Sequence, residues 1–239
     1  VEAMGVQSNA FAFRDLLVSL SRYQEDVFWV NGNPYTVSML DYCLRYAYVG
    51  RFVDLSKINT VVELGAGSGK NIEILAKAHP HLTILNFDIA PQLYVTEQYL
   101  KQALGSRVVS YRETRDLNFS KLEKGKVYCL GAWDFPSLSS IQIDLFWNSA
   151  SFQEMEPDVV LNYLKYVNAS ASHVYLMEKF DGKEVAKSEA HKGVLQPILL
   201  KHYQQGLTHF ELTHRQDCIY PSGKKLWFGY QDSIWRKVK

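Results

Sequence analysis

The stretch Val61-Val62-Glu63-Leu64-Gly65-Ala66-Gly67-Ser68-Gly69-Lys70-Asn71 decides the fold. A β-branched run from Thr60 to Leu64 leads into alternating glycines, and a helix-period segment follows through Ala78. Glycines between a buried strand and a helix let the backbone turn tightly and approach a ligand. The helix start adds unpaired N–H groups with partial positive charge. Several ligand classes use such a loop. A P-loop needs G-x-x-x-x-G-K-[ST], but here Gly69-Lys70 is followed by Asn71 and position 64 is Leu. A dinucleotide loop needs G-x-G-x-x-G, and here the last glycine comes one residue early, at Gly69. A further class holds a phosphate-free ligand whose amino-acid carboxylate meets the helix start, with an acid just ahead of the loop. Glu63 occupies that place. Its carboxylate would repel a pyrophosphate and accept hydrogen bonds from an ammonium group, directly or through water.

Outward from this loop, strands and helices alternate. Leu82–Phe87 reads as a strand ending at Asp88, 25 residues after Glu63. An acid there can take both hydroxyls of a ribose, provided the 2′-hydroxyl is free. Pro91 suits a helix start and Gly105 its end. Val108–Tyr111, Val127–Leu130, Ile143–Trp147 and Val174–Met177 read as strands, and 158–168 and 184–205 as helices. His209–Ile219 and Leu226–Trp235 read as a hairpin around Tyr-Pro-Ser-Gly-Lys. Ahead of residue 57 the pattern is helical, over 11–30 and 36–52, with Thr36 or Ser38 as a cap for the second helix. The expected division is a helical extension over 1–56 and a catalytic domain over 57–239. The expected fold is α/β: a mostly parallel sheet with helices on both faces, closed by an antiparallel hairpin.

Composition narrows the function. The 239 residues are 47% hydrophobic and 21% charged, ordinary globular values, and the formal charge is +1. That balance gives no basic field to hold a nucleic acid backbone. No apolar run has the length of a membrane span. The opening residues lack a basic segment followed by an apolar block, so they do not read as a signal peptide. Cys43, Cys129 and Cys218 are far apart, which suits neither a disulfide framework nor a zinc site, and points to a reducing cytoplasm.

The Glu63–Gly69 pattern followed by Asp88 resembles the class I S-adenosylmethionine (SAM)-dependent methyltransferases. Gly131-Ala132-Trp133-Asp134-Phe135-Pro136 is similar to their adenine loop, and Asp144–Ser149 to their fourth strand and its active-site end. The segment Asn148-Ser149-Ala150-Ser151-Phe152-Gln153-Glu154-Met155-Glu156-Pro157, with the Tyr-rich stretch 35–48, resembles a bacterial family of sugar O-methyltransferases. The resemblance implies SAM as cofactor, surrounded by Glu63, Gly65, Ala66, Gly67, Gly69, Asp88, Ile89, Trp133, Asp134 and Asn148. It also implies a Rossmann-like fold with a mostly parallel seven-stranded sheet, and a small-molecule acceptor, a sugar or glycoside.

Trp133 reads equally well as a core aromatic, Asp134 as a turn cap, and Lys70 as a solvated lysine. A sugar hydroxyl is a poor nucleophile at neutral pH and needs a general base or a metal. Strand ends offer Asn148, Ser149, Gln153, Glu154, Glu178, Lys179 and Asp181. Glu154 and His191 are the acid/base choices, although Glu154 could merely complement a helix dipole and His191 sits among charged neighbours. No metal is placed. Tyr35, Tyr42 and Tyr46 could roof the acceptor pocket. A SAM-binding module without catalysis, or an N- or phenolic O-methyltransferase, would show the same loop.

Overall fold

A computed structural model of the chain describes residues 27–30, 32–186, 193–219 and 229–238. The first described elements are strands β1 (Val27–Val30) and β2 (Asn33–Thr36), an antiparallel hairpin outside the main sheet. The end of the helix expected over 11–30 is therefore a strand, and the rest of that helix lies outside the described residues. The physical reason is local: Val-Phe-Trp-Val is β-branched and aromatic, and an Asn-Gly pair follows, with Gly32 at φ 82°. The next helix, α1 (Val37–Gly50), is capped by Thr36, whose Oγ1 accepts from the Met39 N–H at 3.2 Å.

From residue 60 the chain winds β3 (Thr60–Leu64), α2 (Lys70–Ala78), β4 (Thr83–Asp88), α3 (Ala90–Leu104), β5 (Val108–Val109), α4 (Tyr111–Thr114) and β6 (Val127–Gly131). A 3-10 turn over Ala132–Ser140 leads to β7 (Ile143–Ser149), α5 (Pro157–Ser170), β8 (Ala171–Glu178), α6 (Leu200–Gly206), β9 (Phe210–Asp217) and β10 (Gln231–Lys237). The main sheet has eight strands in the order β5-β6-β4-β3-β7-β8-β10-β9. Strands β3 to β8 are mutually parallel, and β10 is antiparallel to both of its neighbours. The sheet has eight strands where the resemblance implies seven, and the short strand read at Val108–Tyr111 is the two-residue β5 at one edge. The closing hairpin does not simply extend the other edge: β10 lies between β8 and β9.

Alternate residues of each strand enter two cores. Val61, Ile84, Cys129, Leu145 and Tyr175 face one side, with residues of α1, α2 and α3. Val62, Leu85, Leu130, Phe146 and Val174 face the other, with residues of α5 and α6. Strands buried on both faces are what a doubly wound sheet requires. The helix expected over 184–205 is much shorter, only α6 at 200–206, with 187–192 outside the described residues. Gly193 at φ 121° and Pro197, which has no N–H to donate, prevent the apolar period of that stretch from becoming helix.

One side chain staples the edge of the sheet. Arg107 donates from Nε to the Gly125 carbonyl at 2.8 Å, from Nη1 to Ala76 at 2.7 Å and from Nη2 to Pro80 at 3.3 Å. These carbonyls end α2, turn toward β4 and enter β6, so one guanidinium holds successive crossovers in place. Arg107→Ala is expected to cost about 2 kcal/mol. Thermal unfolding followed by circular dichroism should show a Tm lower by roughly 4–8 °C.

Candidate cofactor and acceptor site

The carboxyl ends of β3, β4, β6, β7 and β8 share one edge of the sheet, and the glycine loop, Asp88, the 131–134 turn and Asn148 lie along it. The glycine loop leaves β3 with Gly65, Gly67 and Gly69 all at positive φ, 78°, 57° and 84°. At two of these positions space is also decisive. A Cβ on Gly65 would stand 2.4 Å from the Ser151 Cβ, and one on Gly69 would stand 3.0 Å from the Thr96 Cγ2. Ala66 is buried between them. Helix α3 holds the loop from the other side, because Gln92 and Thr96 both donate to the Gly67 carbonyl.

Two acids flank the loop. Glu63 is 2% exposed and accepts from the Asn71 amide at 2.9 Å. Burial pushes its carboxyl up to about 7, against the opposing pull of Asn71 and the Arg45 guanidinium, and the charge of Asp88 adds to the rise. Asp88 ends β4. Its Oδ1 accepts the Ile89 N–H at 2.8 Å, whereas its Oδ2 is buried with no hydrogen-bond partner. Burial raises this carboxyl as well, opposed by the backbone N–H groups of Ile89 and Gly67. A buried carboxylate oxygen without a donor is costly unless a ligand supplies one.

Beside Asp88 in the sheet lies Gly131, the last residue of β6. The Trp133 ring folds back over Gly131, so closely that a Cβ there would come within 2.2 Å of it. Trp133 is 56% exposed and Ile89 61% exposed, so neither is a core residue. The Trp133 ring stands edge-on to Tyr111 and divides two cavities. One, of about 570 Å³, lies against α5 at Val159, Asn162 and Tyr163; the other, of about 310 Å³, lies against α3 at Leu93 and Tyr94. Asp134 is half-buried, which raises its carboxyl, and the Gly131 backbone opposes that rise.

At the end of β7, Asn148 is fully buried. Its amide donates to the Leu64 carbonyl at 3.0 Å and to the Ser151 Oγ at 2.6 Å, and its Oδ1 accepts the Phe152 N–H at 3.3 Å. These bonds put Asn148 behind the glycine loop as its support. Glu154 has a 74% exposed side chain, 3.7 Å from the Lys183 Nζ. His191 lies outside the described residues. Of the tyrosines expected to roof the acceptor, Tyr46 instead bonds His79 at 2.9 Å in the core, Tyr35 is buried, and Tyr42 reaches the loop at Ser68.

Lys70, read from the sequence as solvated, is instead buried and donates to the Ser38 Oγ at 2.6 Å, because α1 packs over the start of α2. Arg45 is buried on α1, paired with Asp41, and its charge is felt at Glu63. The spacing of Asp41 and Arg45, four apart on a helix, was a usable signal for the pair but not for its destination. Among the described residues, no group of three or more His, Cys, Asp or Glu side chains could hold a metal ion.

No protein-family model matches the chain. No curated protein matches it either. Solved structures do match by shape. The mitomycin 7-O-methyltransferase MmcR aligns with TM-score 0.54 and 15% identity, over 84% of this chain and 54% of that one. The fibrillarin pre-rRNA processing protein of Methanococcus jannaschii aligns with TM-score 0.54 and 11% identity, over 91% and 84% of the two chains. The magnesium protoporphyrin IX methyltransferase ChlM of Synechocystis PCC 6803, with bound SAH, aligns with TM-score 0.53 and 10% identity, over 84% and 83%. The chain spans about half the length of MmcR (54%). The likeness establishes the fold: a Rossmann-like sheet of the class I methyltransferase type.

The buried acid makes a stability prediction that needs no ligand. With its value raised from 4.5 to about 7, Glu63 is bound to its proton more tightly in the folded chain than in the unfolded one. Glu63→Gln should therefore change stability little below pH 4.5 and gain progressively as the pH rises toward about 7. Above that value the gain should level off at about 3 kcal/mol. Urea unfolding of both proteins across this range checks the sign.

Proposed function

We propose that the chain is a SAM-dependent methyltransferase acting on a hydroxyl of a small molecule. The observation that carries the reading is the buried, donor-less Oδ2 of Asp88 beside a glycine loop that is itself preceded by a buried acid. An acid pair of this kind suits a ligand with a ribose diol and an ammonium group and is hostile to a pyrophosphate. The bound SAM would supply an activated methyl group on a sulfonium. In this reading Asp88 takes the ribose hydroxyls, and Glu63 balances the ammonium charge. Gly65, Ala66, Gly67 and Gly69 bring backbone close to the amino-acid end. Ile89, Trp133 and Asp134 border the base, and Asn148 holds the loop in shape. The methyltransferases found by shape, including one named for O-methylation of mitomycin and one with bound SAH, support this assignment.

The acceptor would enter over the ends of β7 and β8. A sugar or glycoside is our choice of acceptor, on the resemblance of residues 148–157 to sugar O-methyltransferases. Glu154 and His191 stand as the proposed acid/base groups; Glu154 meets an acceptor from the solvent side, next to Lys183. Residues 1–56 form the proposed extension and 57–239 the catalytic domain. Three free thiols, two buried and one half-buried, fit a reducing cytoplasm. No described helix is long and apolar enough to cross a membrane.

Calorimetric titration with S-adenosylhomocysteine (SAH) tests the cofactor assignment. The wild type should bind, and Asp88→Ala should bind roughly 10–100-fold more weakly, the loss of hydrogen bonds to a charged group. Equal affinities would remove Asp88 from the site. Transfer of labelled methyl groups from SAM to a panel of nucleotide-sugars, glycans and aglycones tests the acceptor; binding without transfer to any would favour a non-catalytic SAM-binding module.

A further inference from the structure

Glu178 ends β8, and it is completely buried. It shares a face of the sheet with Val174 and Leu176, the face covered by α5 and α6, whereas Glu63 follows Val61 on the opposite face. The polar groups facing it are the Gln153 amide, the Tyr203 hydroxyl and the Ala150 N–H. Neither carboxyl oxygen makes a hydrogen bond of good geometry, and the buried Oε1 of Gln153 has no partner either. The other end of that amide donates to the Tyr203 hydroxyl at 3.2 Å. The Ala150 N–H is already engaged by the Met177 carbonyl at 2.9 Å. The Tyr203 O–H and the second amide proton of Gln153 are the donors that face the carboxyl, yet neither makes a bond of good geometry to it. Burial without such a bond favours the neutral acid, which can donate as well as accept.

Gln153 is part of the short segment that braces the glycine loop. Ala150 takes φ 66°, unusual for a residue with a Cβ, and turns the chain out of β7. Ser151 then donates to the Leu64 carbonyl at 3.1 Å and fills the space against Gly65. Gln153 follows two residues later, locked to Tyr203 on α6.

We propose that Glu178, acting through Gln153 and Tyr203, is a positioning residue that sets the glycine loop from the far face of the sheet and so tunes how the cofactor is held. The cofactor half of this statement rests on the function proposed above. Burial pushes the Glu178 carboxyl well above the usual carboxylate range, so the folded chain favours its neutral form. The brace is complete while Glu178 keeps its proton, and it loosens as rising pH removes it. The titratable groups that face it are Tyr203 from α6, Lys183 from the segment after β8, and Tyr230 ahead of β10. Lys183 is nearly half exposed and lies beside Glu154, so it does not neutralise a Glu178 carboxylate by contact.

The test is SAH titration of the wild type, Glu178→Gln and Glu178→Ala between about pH 6 and about pH 9. Glutamine copies the protonated acid in shape. Glu178→Gln should match the wild type at the acid end, and the wild type should fall about tenfold behind it at the alkaline end. Glu63 titrates in both proteins, so the difference between their profiles isolates Glu178. Glu178→Ala should bind about tenfold more weakly than Glu178→Gln throughout. Ser151→Ala, which breaks the same brace from the loop side, should weaken binding in an otherwise intact core. Parallel profiles for the wild type and Glu178→Gln, or wild-type affinity in both alanine variants, would overturn the proposal. Amide hydrogen exchange at Gly65 and Gly67 reads the brace without any ligand. Exchange should be faster in Glu178→Ala than in Glu178→Gln. If SAH binds no variant and this difference persists, the cofactor assignment fails and the positioning role stands; equal exchange sinks the positioning role itself.

Discussion

The Leu64 carbonyl is where the structure is most constrained. It ends the central strand, and it receives hydrogen bonds from both the Asn148 amide and the Ser151 hydroxyl. The next residue, Gly65, turns at positive φ into the space beside Ser151, and its N–H is held by the Phe87 carbonyl at 2.8 Å. One peptide is thereby fixed by β4 on one side and by the β7 end on the other. No side chain fits there, and no relaxed alternative exists for a residue other than glycine. The position of α2, the orientation of its first N–H groups and the place of Asp88 beside them all follow from this junction.

Around that junction the fold buries acids at one edge of its sheet. Glu63, Asp88, Glu178 and Asp232 are all buried, and burial raises each one. Asp232, pushed up to about 6, is steadied by the Tyr175 hydroxyl at 2.6 Å and by the charge of Arg45. This grouping carries an energetic cost, since buried carboxyls without full partners are unfavourable. A core built for stability alone would not gather them on one edge. Their grouping there is what a binding site with a preformed, donor-seeking lining looks like.

Much of this was legible in sequence, for identifiable reasons. The strand–glycine–helix unit and the strand-end Asp88 are local patterns, with a β-branched run, alternate glycines and a proline in the first turn of α3. Local patterns fail where two signals compete. Val27–Val30 looked helical by period yet pairs with Asn33–Thr36, since the turn chemistry after it favours a hairpin. Residues 193–199 kept an apolar period but not a helix, because Pro197 and Gly193 override it. Asn148 is a different failure. Its place at a strand end was readable, but whether its amide turned to a ligand or to Leu64 depended on Ser151 folding back, which spacing does not encode.

The same limit explains why the N-terminal helix looked like an appendage. In sequence, residues 37–50 precede the glycine loop and share no motif with it. In space, Met39, Tyr46, Ala47 and Val49 belong to the same core as Val61 and Ile72. Helix α1 also carries Arg45 into the interior, where Asp41, Asp232 and Tyr175 surround it and Glu63 lies within its field. Removing that charge would leave Glu63 and Asp232 with less to oppose their burial, on two different strands at once. The helix therefore does more than cover the sheet. It supplies the positive charge that lets acids remain buried at the edge, and the site cannot be separated from it without changing the protonation of the residues that define it.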